Sequence, residues 1–201
     1  MEQELNNAET PTAVIVPGLR GHVAEHWQTR LADTLPNART VPPLEHDELS
    51  LDARVAALDH VVSEVSGPIV LVAHSAGVMI TVHWAQRHSR PIRGALLATP
   101  PDFESPLPDG YPRPGELRDN GWLPTPREPL PFPSIVAAST NDPLARLARV
   151  AELAREWGSR LVDLGAVGHL NPASGYGPWP AAEEFVRELG RPDEDIVNAL
   201  A

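Results

Sequence analysis

The sequence has no cysteine. Thiol nucleophiles, disulfides and thiolate-held metals are thereby excluded, and a reducing, cytoplasmic setting is expected. The chain is also poor in positive charge. Sixteen Lys and Arg stand against 27 Asp and Glu, a formal net charge of −11. Such a surface repels phosphate backbones and anionic membrane faces, so neither nucleic acid nor membrane is an expected partner. No apolar run approaches the ~18 residues that a membrane helix needs. The start, Met1 to Pro11, has neither the basic residues nor the apolar core of a signal peptide. Residues 1–10 read as a flexible tail and residues 191–201 as an acidic one. Between them no repeat and no linker is visible, so a single domain over 11–190 is expected.

What is present is an alternation. Ala13-Val14-Ile15-Val16 is a short apolar run closed by Pro17-Gly18, as in a buried parallel strand. Trp27, Leu31 and Leu35 then recur at helical spacing. Arg39-Thr40-Val41 is a weak second strand. Ser50 is placed to cap a helix whose apolar stripe is Leu51, Val55, Leu58, Val62 and Val65. Further strands are expected at 69–73, 94–98, 134–138 and 160–164, with helices after Ser75, after Pro143 and near Phe185. Six strands alternating with helices predict an α/β fold: a mostly parallel sheet with helices on both faces. The stretch 100–133 breaks the pattern. It is rich in proline and reads as a cap loop in which Phe103, Tyr111, Trp122 and Leu123 pack down over a site. An irregular surface excursion is the alternative.

The third strand runs straight into Ala73-His74-Ser75-Ala76-Gly77 and then a helix. This is the strand–turn–helix setting in which a serine hydroxyl is presented as a nucleophile. The usual first glycine of that motif is alanine here, which is still small. A serine needs a base, a group to orient the base, and donors for an oxyanion. Asp142 follows the fifth strand and His169 the sixth, the chain order Ser…Asp…His expected of such an elbow. Each has a plainer reading. Ser75 would serve as a helix cap, and Asp142 as an N-cap with Pro143 at the first helical position. Asp102 and Asp163 fit the acid's place less well. His74 is expected to pack or hydrogen-bond locally. The oxyanion donors are expected to be the N–H groups of Ala76 and Leu19, with Arg20 as the alternative to Leu19. Arg20, Trp122, Leu123 and Leu170 are candidates for the pocket wall. His22 and His26 have metal-binding spacing but no third ligand, and no metal or cofactor is expected.

Together, Val16-Pro17-Gly18, Ala73-His74-Ser75-Ala76-Gly77, Asn141-Asp142-Pro143 and Gly168-His169-Leu170-Asn171 with Ser174-Gly175 and Trp179-Pro180 resemble a known family. The resemblance is to the small α/β-hydrolases related to retinoblastoma-binding protein 9, over about residues 12–190. It implies the α/β-hydrolase fold with sheet order 2-1-3-4-5-6 and no large lid domain, and a compact serine hydrolase, esterase-like on a small acyl substrate, with Ser75, Asp142 and His169 as its triad. Acyl transfer, cyclisation or amide cleavage by the same groups, and a non-catalytic interaction module on the same fold, are the competing expectations.

Overall fold

The computed structural model describes residues 10–21 and 23–191. The expected tails lie outside these residues, apart from Thr10 and Arg191. Six strands form one sheet: β1 (Thr12–Val16), β2 (Ala38–Thr40), β3 (Ile69–His74), β4 (Gly94–Ala98), β5 (Ser134–Ala138) and β6 (Arg160–Asp163). Their order is β2-β1-β3-β4-β5-β6, and every pairing is parallel. The helices are α1 (Trp27–Thr34), α2 (Leu51–Ser63), α3 (Ala76–Arg87), α4 (Pro114–Asp119), α5 (Leu147–Glu156) and α6 (Pro180–Leu189).

Alternation along the strands divides two cores. Val14, Val16, Leu71 and Ala73 face one side, where they meet α2, α3 and α5. Ala13, Ile15, Val70 and Val72 face the other, against α1 and α6. Burying each Leu or Val side chain is worth about 1.5–3 kcal/mol, which is why α2 settles on its Leu51, Val55, Leu58 and Val62 stripe. Ser50 caps α2 by accepting from the Ala53 N–H at 3.2 Å.

Register places the carboxyl ends of the strands along one edge. Val16 is level with Ala73, His74 with Ala98, and Ala138 with Asp163. The chain leaves β1 for β2 and returns past it to β3. The reversal puts a crevice between the loops after β1 and β3, where ligands of such sheets bind. Gly77 brings α3 hard against β1. A Cβ there would collide with the Val16 carbonyl oxygen and lie 2.9 Å from that of Pro17.

Two expectations need correction. The helix after Pro143 does not begin there. Turns carry the chain to Leu147, and Arg146 is the residue before the helix. Asp142 therefore caps no helix; its Oδ1 accepts from the Leu144 N–H at 2.9 Å within a turn. The stretch 100–133 is also less irregular than its prolines suggest. It contains α4, and Leu117, Trp122 and Phe103 join the core against α2 and α3. The Trp122 indole N–H donates to the Leu49 carbonyl at 2.7 Å, and that of Trp157 to Pro126 at 2.8 Å. Arg149 and Arg127 both ion-pair with Glu104, at 2.5 and 2.7 Å.

Candidate active site

Ser75 sits between β3 and α3 with φ 57° and ψ −127°. An L-residue reaches that region only under strain, of the order of 1–3 kcal/mol. The sharp turn lifts the side chain clear of both strand and helix. Small neighbours make the turn sterically feasible: Ala73 and Ala76 are buried, and a Cβ on Gly18 would lie 3.2 Å from that of Ser75.

The Ser75 hydroxyl meets His169 Nε2 at 2.8 Å. On the far side of the ring, Nδ1 lies 3.0 and 2.9 Å from the two oxygens of Asp142. A carboxylate only accepts, so Nδ1 carries the proton and Nε2 is left to accept from Ser75. The His169 and Asp142 side chains are 5% and 2% exposed, so little water competes for this chain of bonds. The other acids are engaged elsewhere. Asp102 accepts from Ser105 at 2.6 Å within the cap, and Asp163 accepts from the Gly165 N–H at 2.8 Å.

Neighbouring residues fix the His169 loop at several atoms. Its N–H donates to Ser174 Oγ at 3.0 Å, and Ser174 Oγ donates to Asn171 at 2.9 Å. Gly168 has φ 59°, and its N–H donates to Asn141 Oδ1 at 2.7 Å. Asn141 thereby ties the His169 loop to the residue beside Asp142. The His169 carbonyl accepts from His74 Nε2–H at 2.9 Å. Burial pushes the His74 pKa well below its ordinary value, with His169 and His26 adding to the shift. His74 is a neutral donor, committed to a carbonyl.

The N–H of Ala76 heads α3 and so has no acceptor within the helix. Leu19 lies in a turn closed by the Gly21 N–H to Gly18 O bond at 3.0 Å, and its own carbonyl accepts from Arg54 Nη2 at 3.1 Å. Both residues line a cavity of about 390 Å³ above Ser75 and His169. Arg20, Phe103 and Tyr111 line it too. Three expected wall residues do not. Trp122 is drawn into the core by its bond to Leu49 and its edge-on contact with Phe103 at 5.3 Å. Leu123 packs against the same core. Leu170 is fully buried on the opposite face of the sheet, among Trp27 and Val167; with φ 47° its backbone turns it away from the crevice.

A second buried motif carries no obvious chemical signature in the sequence. Gln28, 4% exposed, donates from Nε2 to Val16 O at 3.2 Å and Val72 O at 2.9 Å, joining the ends of β1 and β3 beneath the elbow. His26 Nδ1 accepts from the Gln28 N–H at 3.2 Å, and burial then the charge of His169 lower its pKa to about 4. The only signal is a glutamine on the apolar side of an amphipathic helix. His22, the other member of the expected metal pair, lies outside the described residues.

A family model described as serine hydrolase matches residues 13–188. No curated protein matches the chain. Among solved structures, a protein of Pectobacterium atrosepticum described as a YdeN-like hydrolase is 28% identical, with a TM-score of 0.75. The match covers 92% of this chain and 95% of that one. The ydeN gene product of Bacillus subtilis has 18% identity, coverage of 90% and 98%, and a TM-score of 0.72. Est1E of Butyrivibrio proteoclasticus has 14% identity, coverage of 92% and 90%, and a TM-score of 0.66.

Proposed function

The chain belongs to the serine hydrolase family, and on that footing we propose that it cleaves small carboxylic esters through an acyl-enzyme on Ser75. The observation that carries the reading is the hydrogen-bonded run Ser75–His169–Asp142, held on a strained elbow at the mouth of a cavity. Ser75 Oγ attacks the ester carbonyl carbon while its proton passes to His169 Nε2. Asp142 holds the imidazole in the required tautomer and stabilises the imidazolium. The oxyanion is received by the N–H groups of Ala76 and Leu19, each worth about 10²–10³ in rate. Collapse breaks the ester C–O bond, and His169 returns its proton to the leaving alcohol. Water, deprotonated by His169, then attacks the acyl carbon and releases the acid.

The narrower kinship with retinoblastoma-binding protein 9-like hydrolases is part of this proposal. Its motif residues have local work here: Gly168 takes a positive φ, Ser174 holds the His169 N–H, and Trp179 packs edge-on to Trp27 at 4.8 Å. The test is turnover of 4-nitrophenyl acetate and butyrate, with labelling by a fluorophosphonate. Ser75→Ala is expected to lower kcat by about 10⁴–10⁶ and to abolish labelling. A folded wild-type chain that neither turns over these esters nor labels would leave a binding module as the better reading.

A further inference from the structure

The sequence contains no lysine, so all sixteen of its cationic side chains are arginines. Seven of them, Arg30, Arg39, Arg87, Arg127, Arg149, Arg160 and Arg187, are paired with carboxylates. Two others, Arg20 and Arg54, line the cavity above Ser75. Among the described residues no ion pair joins either of these two to a carboxylate.

Arg54 is the more telling. It is half-buried, and its Nε and Nη2 donate to the main-chain carbonyls of Glu48, at 2.7 Å, and Leu19, at 3.1 Å. Carbonyls orient a guanidinium but do not neutralise it. Burial lowers the Arg54 pKa, while the charge of Glu48 acts the other way. Glu48 is exposed, also lines the cavity, and touches Arg54 through its backbone oxygen rather than an ion pair. A partly desolvated charge without a direct counter-ion is unfavourable unless a ligand supplies one. Arg20 stands nearby with its guanidinium 5.7 Å from the centre of the Tyr111 ring, a cation–π contact with the cap. Apolar side chains, Ile15, Leu49, Phe103 and Leu144 among them, share the lining of the cavity with these groups and Ser75.

We propose that the cavity selects an ester whose acyl chain ends in a carboxylate, received by Arg54 and Arg20 while Ser75 attacks the far carbonyl. The inference rests on the hydrolase reading above and adds its substrate class. A guanidinium fork matches a carboxylate in two parallel bonds, whereas an apolar wall suits the methylenes between. Arg54 also holds the carbonyl of Leu19, whose N–H is assigned to the oxyanion. One side chain thus joins recognition of the remote carboxylate to the position of an oxyanion donor, an arrangement by which remote binding raises kcat as well as lowering KM.

The experiment compares 4-nitrophenyl hemiesters of succinate, glutarate and adipate with 4-nitrophenyl butyrate, at low salt and in 0.5 M NaCl. The best hemiester is expected to exceed butyrate in kcat/KM by about 10-fold to 100-fold, the range of one charge-assisted contact. Arg20→Gln and Arg54→Lys should each lower that ratio by about 10-fold, and salt should lower it in the wild type. Arg20 is exposed, so Arg20→Gln remains informative where Arg54→Lys fails to fold. A ratio near one in the wild type, unmoved by either substitution, overturns the proposal and leaves the hydrolase reading standing. Binding of the same hemiesters to Ser75→Ala separates the two ideas. Tighter binding of the hemiester than of butyrate, lost in the Arg20→Gln double variant, supports the carboxylate site even if the wild type turns over neither ester.

Discussion

In the mechanism proposed for Ser75, the backbone presents the hydroxyl and its partners activate it. Asp142 illustrates the second part. It makes no helix cap, so its burial beside His169 is explained by the imidazole and by one turn bond to Leu144. Asp142→Asn keeps the shape but offers an N–H where an acceptor is required, favouring the wrong tautomer. Steady-state turnover of 4-nitrophenyl butyrate is expected to fall by about 10⁴ in kcat with little change in fold by circular dichroism. The juxtaposition of Ser75, Asp142 and His169 was legible because each lies just past the end of a strand, and parallel strands end on one edge. The pocket wall was legible only in part, through Arg20, Phe103 and Tyr111. Trp122, Leu123 and Leu170 are apolar residues near the right loops, but apolarity does not say which side of a loop faces a cavity. Trp122 needs an acceptor for its indole and finds Leu49, away from the site. Gln28 was missed because a lone glutamine has no chemical signature until two strand ends are seen to converge on it.

Elements that follow one hydrophobic period were readable, and those built on exceptions were not. The inner strands β1, β3, β4 and β5 and helix α2 carry their pattern plainly. The start of α5 does not, because Asp142-Pro143 has the composition of a helix start while the chain uses it for a turn. The segment 100–133 hides α4 among prolines and glycines. The join of α3 to the sheet is the most demanding contact between elements. Gly77→Ala places a methyl group against the Val16 carbonyl, and backbone cannot yield there without moving β1 or the elbow. It is expected to destabilise by about 3 kcal/mol or more, near the upper end for single substitutions. Urea unfolding of the variant against wild type measures it, and an unchanged midpoint would contradict the packing described.

For the molecule as a whole, buried histidines set an acid limit. His83, 7% exposed, donates from Nε2 to the Trp122 carbonyl at 3.3 Å, and burial lowers its pKa to about 4. His26 is lowered to about 4 as well. In the unfolded chain both take a proton near 6.5. Between those values the unfolded state binds more protons than the native one. Stability from these groups is therefore complete above about pH 6.5 and is lost as pH falls towards 4. Thermal melts from pH 7.5 to 4.5 should show Tm falling with acid, and His83→Gln should flatten the slope. Equal slopes in both proteins would contradict the assignment. No helix among the described residues is long and apolar enough to cross a membrane. The cap, meanwhile, has a consequence for divergence within the family. Phe103 is at once cavity wall and core, 2% exposed and edge-on to Trp122. A descendant that reshaped the cavity through Phe103 would weaken its own fold in the same step. Tyr111 and Pro112 line the cavity from the half-buried rim. Changes there leave the core intact, so new substrate ranges are most accessible to evolution, or to an engineer, at that rim.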